Sequence, residues 1–225
     1  MDLHDGLRTI LSNHFAWGKC RLDCFIGMLL ALMRLKQINL TQLAIAFSSQ
    51  ADIKSRYRRL QRFFQEVRFD YDVIARLIME ELFDFYEKVY LTLDRTNWKW
   101  GEKNLNILTL AIVYKGAAIP IYWLILNKQG NSNQRERIAL LQRFIRQFGR
   151  QRILGILGDR EFIGDEWWQW LTENGIPYLI RVRENQTMKN HRGQMQPVSS
   201  RFSDLKPGET RRLKKNEKLA NNGFG

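Results

Sequence analysis

Cysteine, histidine and acidic side chains are scarce in this chain, and each scarcity removes a class of function. Among 225 residues there are two cysteines, Cys20 and Cys24. They lie four apart in an apolar stretch with helical spacing, which suits core packing better than zinc, an ion that wants four ligands. A disulfide scaffold is excluded, and a reducing compartment fits. The three histidines, His4, His14 and His191, stand at no metal-ligand spacing. No Ser, Cys or His nucleophile arrangement is visible. The opening MDLHDGLRTI has acids and no apolar core, so no secretory leader is expected. The most apolar run, Cys24 to Met33, is too short to span a bilayer and reads as a buried helix, so no membrane partner is expected.

Positive charge is abundant. Thirty-six Lys and Arg face 23 Asp and Glu, leaving +13, the electrostatic footprint of a polyanion binder or of a plain basic surface. Apolar content of 44% with 12% aromatics is ordinary for a folded protein. Within this basic chain two acids stand out, Asp94 in VYLTLDRTNW and Asp159 in ILGILGDREF, each at the exit of an apolar run that reads as a strand. A carboxylate beside buried backbone must be paired, protonated or bound to a cation.

The first 88 residues read as helices. Leu22 to Lys36 has apolar groups at three and four, and Thr41 is placed to cap a short helix. A turn at Ser48-Ser49 precedes a basic helix over residues 51–65. Its expected apolar stripe is Ile53, Tyr57, Leu60 and Phe64, with Lys54, Arg56, Arg58, Arg59 and Arg62 covering the rest. A short helix, a turn and a basic helix make the layout of a helix-turn-helix, so these five cations are the candidate DNA contacts. A further helix is expected over Tyr71 to Lys88.

From Val89 the period changes. Apolar runs ending at Leu93, Tyr114 and Leu126 are separated by the turn-like GEKN and KGA, the pattern of an antiparallel meander. Pro120 suits an edge strand. A helix follows, with Asn133 and Glu136 spaced as a capping box and Ile138, Leu141, Ile145 and Phe148 on one face. Then come a strand over Ile153 to Leu157, a helix over Trp167 to Glu173 and a strand over Tyr178 to Val182. The order βββαβαβ is that of an α/β, ribonuclease-H-like mixed sheet, here preceded by an all-α DNA-binding region. The expected division is 1–88 helical and DNA-binding, 89–185 catalytic core, and 186–225 a polar, basic tail opening a β-rich insertion.

In this topology Asp94 leaves the first strand and Asp159 the fourth, and adjacent strands bring them together. Two carboxylates so close are relieved by a shared divalent cation, and hard oxygen ligands select Mg²⁺ or Mn²⁺. Two such ions roughly 4 Å apart suit in-line phosphoryl transfer. The plainer alternative makes Asp94 a turn cap and Asp159-Arg160-Glu161 a surface ion-pair cluster. Trp98, Lys99 and Trp100 beside Asp94 can pack or stack on a base, whereas Trp167, Trp168 and Trp170 suit helix packing.

LTLDRTNWKWG, a strand meander, GDREF and PYLIRVREN together resemble the catalytic core of IS4-type transposases of bacterial insertion sequences, and SRYRRLQRFF resembles the closing segment of their N-terminal domain. The resemblance covers about Leu22 to Asn185. It implies a DDE fold in which Asp94 and Asp159 are the first two acids, Mg²⁺-dependent nicking and joining of double-stranded DNA at terminal inverted repeats, homo-oligomers on DNA, and a bacterial cytoplasmic, nucleoid-associated location. The family's third acid lies in a tyrosine, arginine, glutamate, lysine pattern that is missing here. Glu161, Glu173, Glu184, Glu209 and Glu217 do not supply it. The expectation is a C-terminally truncated transposase, weak or inactive alone; the alternative is a non-catalytic DNA-binding protein or inhibitor derived from one.

Overall fold

A computed structural model describes residues 2–85, 87–213 and 218–219, with Trp100 and Lys218 described by backbone only. Tyr86 and Glu217, named above, lie outside the described residues. The chain divides into two compact units, Met1–Tyr86 and Glu87–Gly225.

The first unit is helical: α1 Leu3–His14, α2 Lys19–Leu35, α3 Leu40–Ala46, α4 Ile53–Glu66 and α5 Tyr71–Arg76, the last running into a π-helical turn, Leu77–Leu82. Asn39, not Thr41, caps α3, because its Oδ1 reaches the amides of Thr41 (3.0 Å) and Gln42 (3.2 Å). Asp52 caps α4 through the Ser55 amide (2.9 Å) and hydroxyl (2.7 Å), which hold its carboxyl below the ordinary range. The single helix expected over Tyr71 to Lys88 ends early. The π turn breaks its register, and Asp84 adopts a left-handed conformation (φ 55°) that starts the exit.

Two apolar clusters hold this unit together. One gathers Cys24, Met28, Ala31, Leu43, Phe47, Leu60, Phe63 and Val67; the other gathers Leu11, Phe15, Leu22, Ile26 and Leu77. Each large side chain so buried contributes about 1.5–3 kcal/mol. Cys24 belongs to this core, and burial pushes its thiol pKa up; Cys20 is exposed, so only one member of the pair packs inside. Among the described residues no single helix is long and apolar enough to cross a membrane.

The second unit is an α/β fold with a ribonuclease-H-like mixed sheet. Its elements are β1 Val89–Trp100, β2 Lys103–Tyr114, β3 Ala117–Leu126, α6 Gln134–Phe148, β4 Ile153–Gly158, α7 Asp165–Glu173 and β5 Tyr178–Ile180. The strand order is β3-β2-β1-β4-β5, with the first three antiparallel and β1-β4-β5 parallel. Both hairpin turns have two residues; Lys115 and Gly116 both adopt positive φ (48° and 80°), which matches the twist of the flanking strands. The first strand runs seven residues past Leu93, and β5 stops at Ile180 rather than Val182.

β3 is an edge strand, as Pro120 suits. Leu110 pairs with Tyr122 but Ala111 with Pro120, so Ile121 is an extra residue in a bulge and both Ile121 and Tyr122 are buried. The Asn133–Glu136 capping box forms at the start of α6, which packs on β2 and β3. Its buried face is Arg137, Leu140, Leu141 and Phe144, one position away from the expected stripe except at Leu141. Trp167 is fully buried and stacks on Trp170 at 6.0 Å, so the second tryptophan cluster is packing. Beyond β5, β6 Thr187–Lys189, β7 Met195–Pro197, α8 Val198–Phe202 and β8 Lys218–Leu219 follow, the three strands forming a small antiparallel sheet ordered β7-β6-β8.

Candidate active site

The parallel pairing of β1 with β4 matches Leu91 to Ile156 and Thr92 to Leu157. Carried two residues further, the same register brings Asp94 level with Asp159. Asp94 sits within β1, opposite Thr109 of β2, and its Oδ1 accepts the Arg95 amide at 2.8 Å. Asp159 follows the last residue of β4 and opens a turn: its Oδ1 accepts the Glu161 amide (2.9 Å) and its carbonyl accepts the Phe162 amide (3.1 Å).

Both carboxylates are exposed to solvent, which corrects the expectation of acids buried beside strand ends. The alternating pleat turns Leu91 and Leu93 inward and Asp94 outward. Each acid has one oxygen, Oδ2, without a hydrogen bond among the described residues. Two such oxygens on adjacent strands, with no thiol or imidazole beside them, fit a hard divalent cation as two of its ligands. Among the described residues, no group of three His, Cys, Asp or Glu side chains could hold a metal ion.

Behind the two acids lies a network that joins their flanking residues. Arg95 Nε donates to Glu161 Oε1 at 2.6 Å, with each side chain only 16% exposed. Thus the residue after Asp94 is tied to the residue two after Asp159. Arg95 also donates to Asn106 Oδ1 (3.3 Å) and Asn131 Oδ1 (3.4 Å), and buried Asn106 donates to the carbonyls of Lys128 (3.0 Å) and Gly130 (2.9 Å). From α6, buried Arg137 donates to the Ser132 hydroxyl (3.0 Å) and carbonyl (2.6 Å), the Glu161 carbonyl (3.2 Å) and the Ile163 carbonyl (3.4 Å). Burial draws the Arg137 guanidinium below its ordinary pKa, while Glu161, Glu136 and Asp159 oppose that shift. Neither Arg95 nor Arg137 was expected at the site. The available signal was an arginine at i−3 and i−4 from Leu140 and Leu141, on what becomes a buried face.

A family model of the transposase DDE domain matches residues 76–222. The chain belongs to the transposase DDE domain family. Both aspartates lie inside the matched span of this DDE domain. Among solved structures it is similar to the HTLV-2 integrase catalytic core domain in complex with magnesium, in a dimeric form: 17% identity, TM-score 0.33, covering 43% of this chain and 62% of that one. It is also similar to a simian T-cell lymphotropic virus intasome in complex with the PP2A regulatory subunit B56 gamma (13%, TM-score 0.35, 64% of this chain and 52% of that one). A third is the large terminase of a thermophilic bacteriophage (23%, TM-score 0.28, 43% and 23%). The chain spans less than two thirds of the length of each of these three. No curated protein matches it.

In the helical unit the five candidate DNA contacts separate into two sets. Lys54, Arg58 and Arg62 are exposed and recur every four residues along one ridge of α4. Arg56 instead turns inward. Its Nη1 donates to the carbonyls of Ala44 (3.3 Å), Ile45 (3.2 Å) and Phe47 (2.8 Å), and its Nε to Ala51 (2.7 Å), closing the C-terminal end of α3. Arg59 donates to the Cys20 carbonyl at 3.0 Å and lies 5.7 Å from the centre of the Phe47 ring. The buried face is Leu60 and Phe63, continued by Val67; Ile53 and Phe64 are half exposed. Arg56 and Arg59 flank this face; Arg56 is drawn to carbonyls that the end of α3 and the following loop leave open, and Arg59 adds a second donor to the Cys20 carbonyl in the first turn of α2.

These contacts predict opposite outcomes along one helix. Arg56→Ala lowers stability by about 1–3 kcal/mol because it unpairs four carbonyls, two of them part-buried, whereas Arg58→Ala leaves it within about 0.5 kcal/mol; urea unfolding followed by circular dichroism separates them. In the second unit, Arg137→Met costs about 1–3 kcal/mol by the same reasoning, and equal urea midpoints for parent and variant would contradict the network's role.

Proposed function

We propose that this chain is an IS4-type DNA strand-transfer protein, acting by metal-dependent phosphoryl transfer at the ends of an insertion sequence, with Asp94 and Asp159 as its catalytic acids and Mg²⁺ (or Mn²⁺) ligands. The observation that carries this reading is the β1–β4 register in a transposase DDE domain, which, carried two residues past its last pair, sets exposed Asp94 within β1 level with exposed Asp159 just after β4. When bound there, a divalent cation polarises the phosphate and lowers the pKa of an attacking water or 3′-hydroxyl. Asp94 is fixed by its place in a long strand paired along β2, and Asp159 by a turn pinned through Arg95–Glu161 and Arg137. Their charge and spacing hold the cation; the surrounding arginines keep that spacing.

The partner in this reading is double-stranded DNA bearing terminal inverted repeats, gripped by the Lys54, Arg58 and Arg62 ridge, with copies of the chain assembling on it in the bacterial cytoplasm at the nucleoid. With no third acid grouped beside the two aspartates among the described residues, the site has a weaker charge set, and the chain alone cleaves slowly. That same observation favours a second reading, a non-catalytic DNA-binding protein or inhibitor derived from a transposase, in which the α4 ridge does the work.

Three measurements test these readings. Asp94→Ala and Asp159→Ala each reduce Mn²⁺ binding, followed by electron paramagnetic resonance, by tenfold or more; unchanged binding in both variants would remove the metal site. Robust Mg²⁺-dependent cleavage by the isolated 225-residue chain, abolished by Asp94→Ala, would overturn the expectation of a slow enzyme. Replacing Lys54, Arg58 and Arg62 together by Ala weakens duplex binding and lowers its logarithmic salt slope by about 2–3, whereas an unaltered slope would place the phosphate contacts elsewhere.

A further inference from the structure

The β1–β2 hairpin outruns the sheet it belongs to. β1 pairs with β4 no further than Thr92, and β2 pairs with β3 only from Asn106 onward, so, among the described residues, 98–105 pair with each other and with no third strand. Gly101, at φ 59°, makes the tight turn at its tip. A two-stranded ribbon is marginally stable alone and usually gains from docking against something.

This ribbon carries a large aromatic that the fold does not use. Trp98 is 58% exposed, in contrast to the fully buried Trp167. Side chains alternate across a strand, so Trp98 shares its face with Asp94 and Thr96, about 13 Å along β1 from Asp94, or roughly four base steps of DNA. Lys103 pairs with position 100 and falls on the same face; Lys99 falls on the opposite one, and Glu102 sits in the turn. Residues 98–105 thus carry two cations against one acid, in a chain of net charge +13. An exposed indole with a lysine on its own face matches the two requirements of unpaired nucleic acid, a flat surface for a base and a cation for its phosphate.

We propose that the β1–β2 hairpin grips the DNA end: Trp98 stacks on an unpaired base about four steps from the phosphate held at Asp94 and Asp159, and Lys103 takes a flanking phosphate. The inference rests on the reading of those aspartates as the reaction centre. It assigns Trp98 a role in substrate positioning, outside the metal site and separate from the α4 ridge.

The test uses the full chain in chelator, so that no cation chemistry enters. One probe is a duplex with a short 3′ single-stranded extension containing 2-aminopurine; the other is the same duplex with blunt, G·C-closed ends. The parent binds the extended duplex more tightly and quenches the 2-aminopurine. Trp98→Ala lowers affinity for the extended duplex roughly 5- to 150-fold, with blunt-duplex affinity unchanged, while Trp98→Phe keeps most of the preference. Lys103→Ala weakens the extended complex without restoring 2-aminopurine fluorescence. The grip is overturned if Trp98→Ala retains the preference, if the parent shows none, or if the variant changes only the oligomeric state, which would make the hairpin a contact between copies. A Trp98-dependent preference supports the grip whether or not cleavage is later found, so failure of the metal site and failure of the grip read out separately.

Discussion

The ion pair between Arg95 and Glu161 joins the strand that carries Asp94 to the turn that carries Asp159, and the arrangement of the candidate site depends on it. β-pairing alone does not suffice, because β1 and β4 cease to be hydrogen-bonded at Thr92, two residues short of the first acid. Past that point the two backbones are held together by side chains. Arg95 contributes a fork that reaches Glu161, Asn106 and Asn131 at once, which a lysine could not do. Arg137 secures the Glu161 carbonyl from the helix side. Removing either guanidinium leaves buried acceptors unpaired, so the network acts as a unit rather than as a sum of contacts.

This places cations, rather than apolar side chains, immediately behind the acids. The arginines position the carboxylates by hydrogen bonds, and their positive charge offsets the repulsion that two neighbouring carboxylates exert on one another. In the helical unit the same residue type serves a different end. Arg56 completes the C-terminal end of α3 and Arg59 donates to the Cys20 carbonyl of α2, while Lys54, Arg58 and Arg62 form the exposed every-fourth-residue ridge.

Much of this was legible in the sequence because it is periodic. The change from helical spacing to alternating runs at Val89, the turn residues at Gly101 and Lys115-Gly116, and the capping box at Asn133 are local signals, and the five-stranded order follows from them. What escaped was set by tertiary contact. Seven residues, Asp94 through Trp100, extend β1 beyond its apolar run because β2 continues the backbone ladder as far as position 100. Exposure of the two aspartates depends on which way the pleat turns, and the sequence alone does not say what covers each face. Arg137 reads as one more cation on a basic helix until the carbonyls of Ser132, Glu161 and Ile163 close around it. Glu161 was visible as part of an acidic and basic cluster, but its partner proved to be Arg95, 66 residues away in the chain rather than next to it. Helix α1 carried a readable signal in Leu7, Ile10 and Leu11, which line one face.

The bulge at Ile121 has a consequence for how copies of this protein can meet. A free outer strand is ordinarily an adhesive rim, offering its amides and carbonyls to any extended segment that passes. Here β3 lacks one amide at Pro120 and is kinked beside it, so a second sheet laid against that rim would lose its registry within a few residues. The rim is thereby guarded against indiscriminate sheet growth.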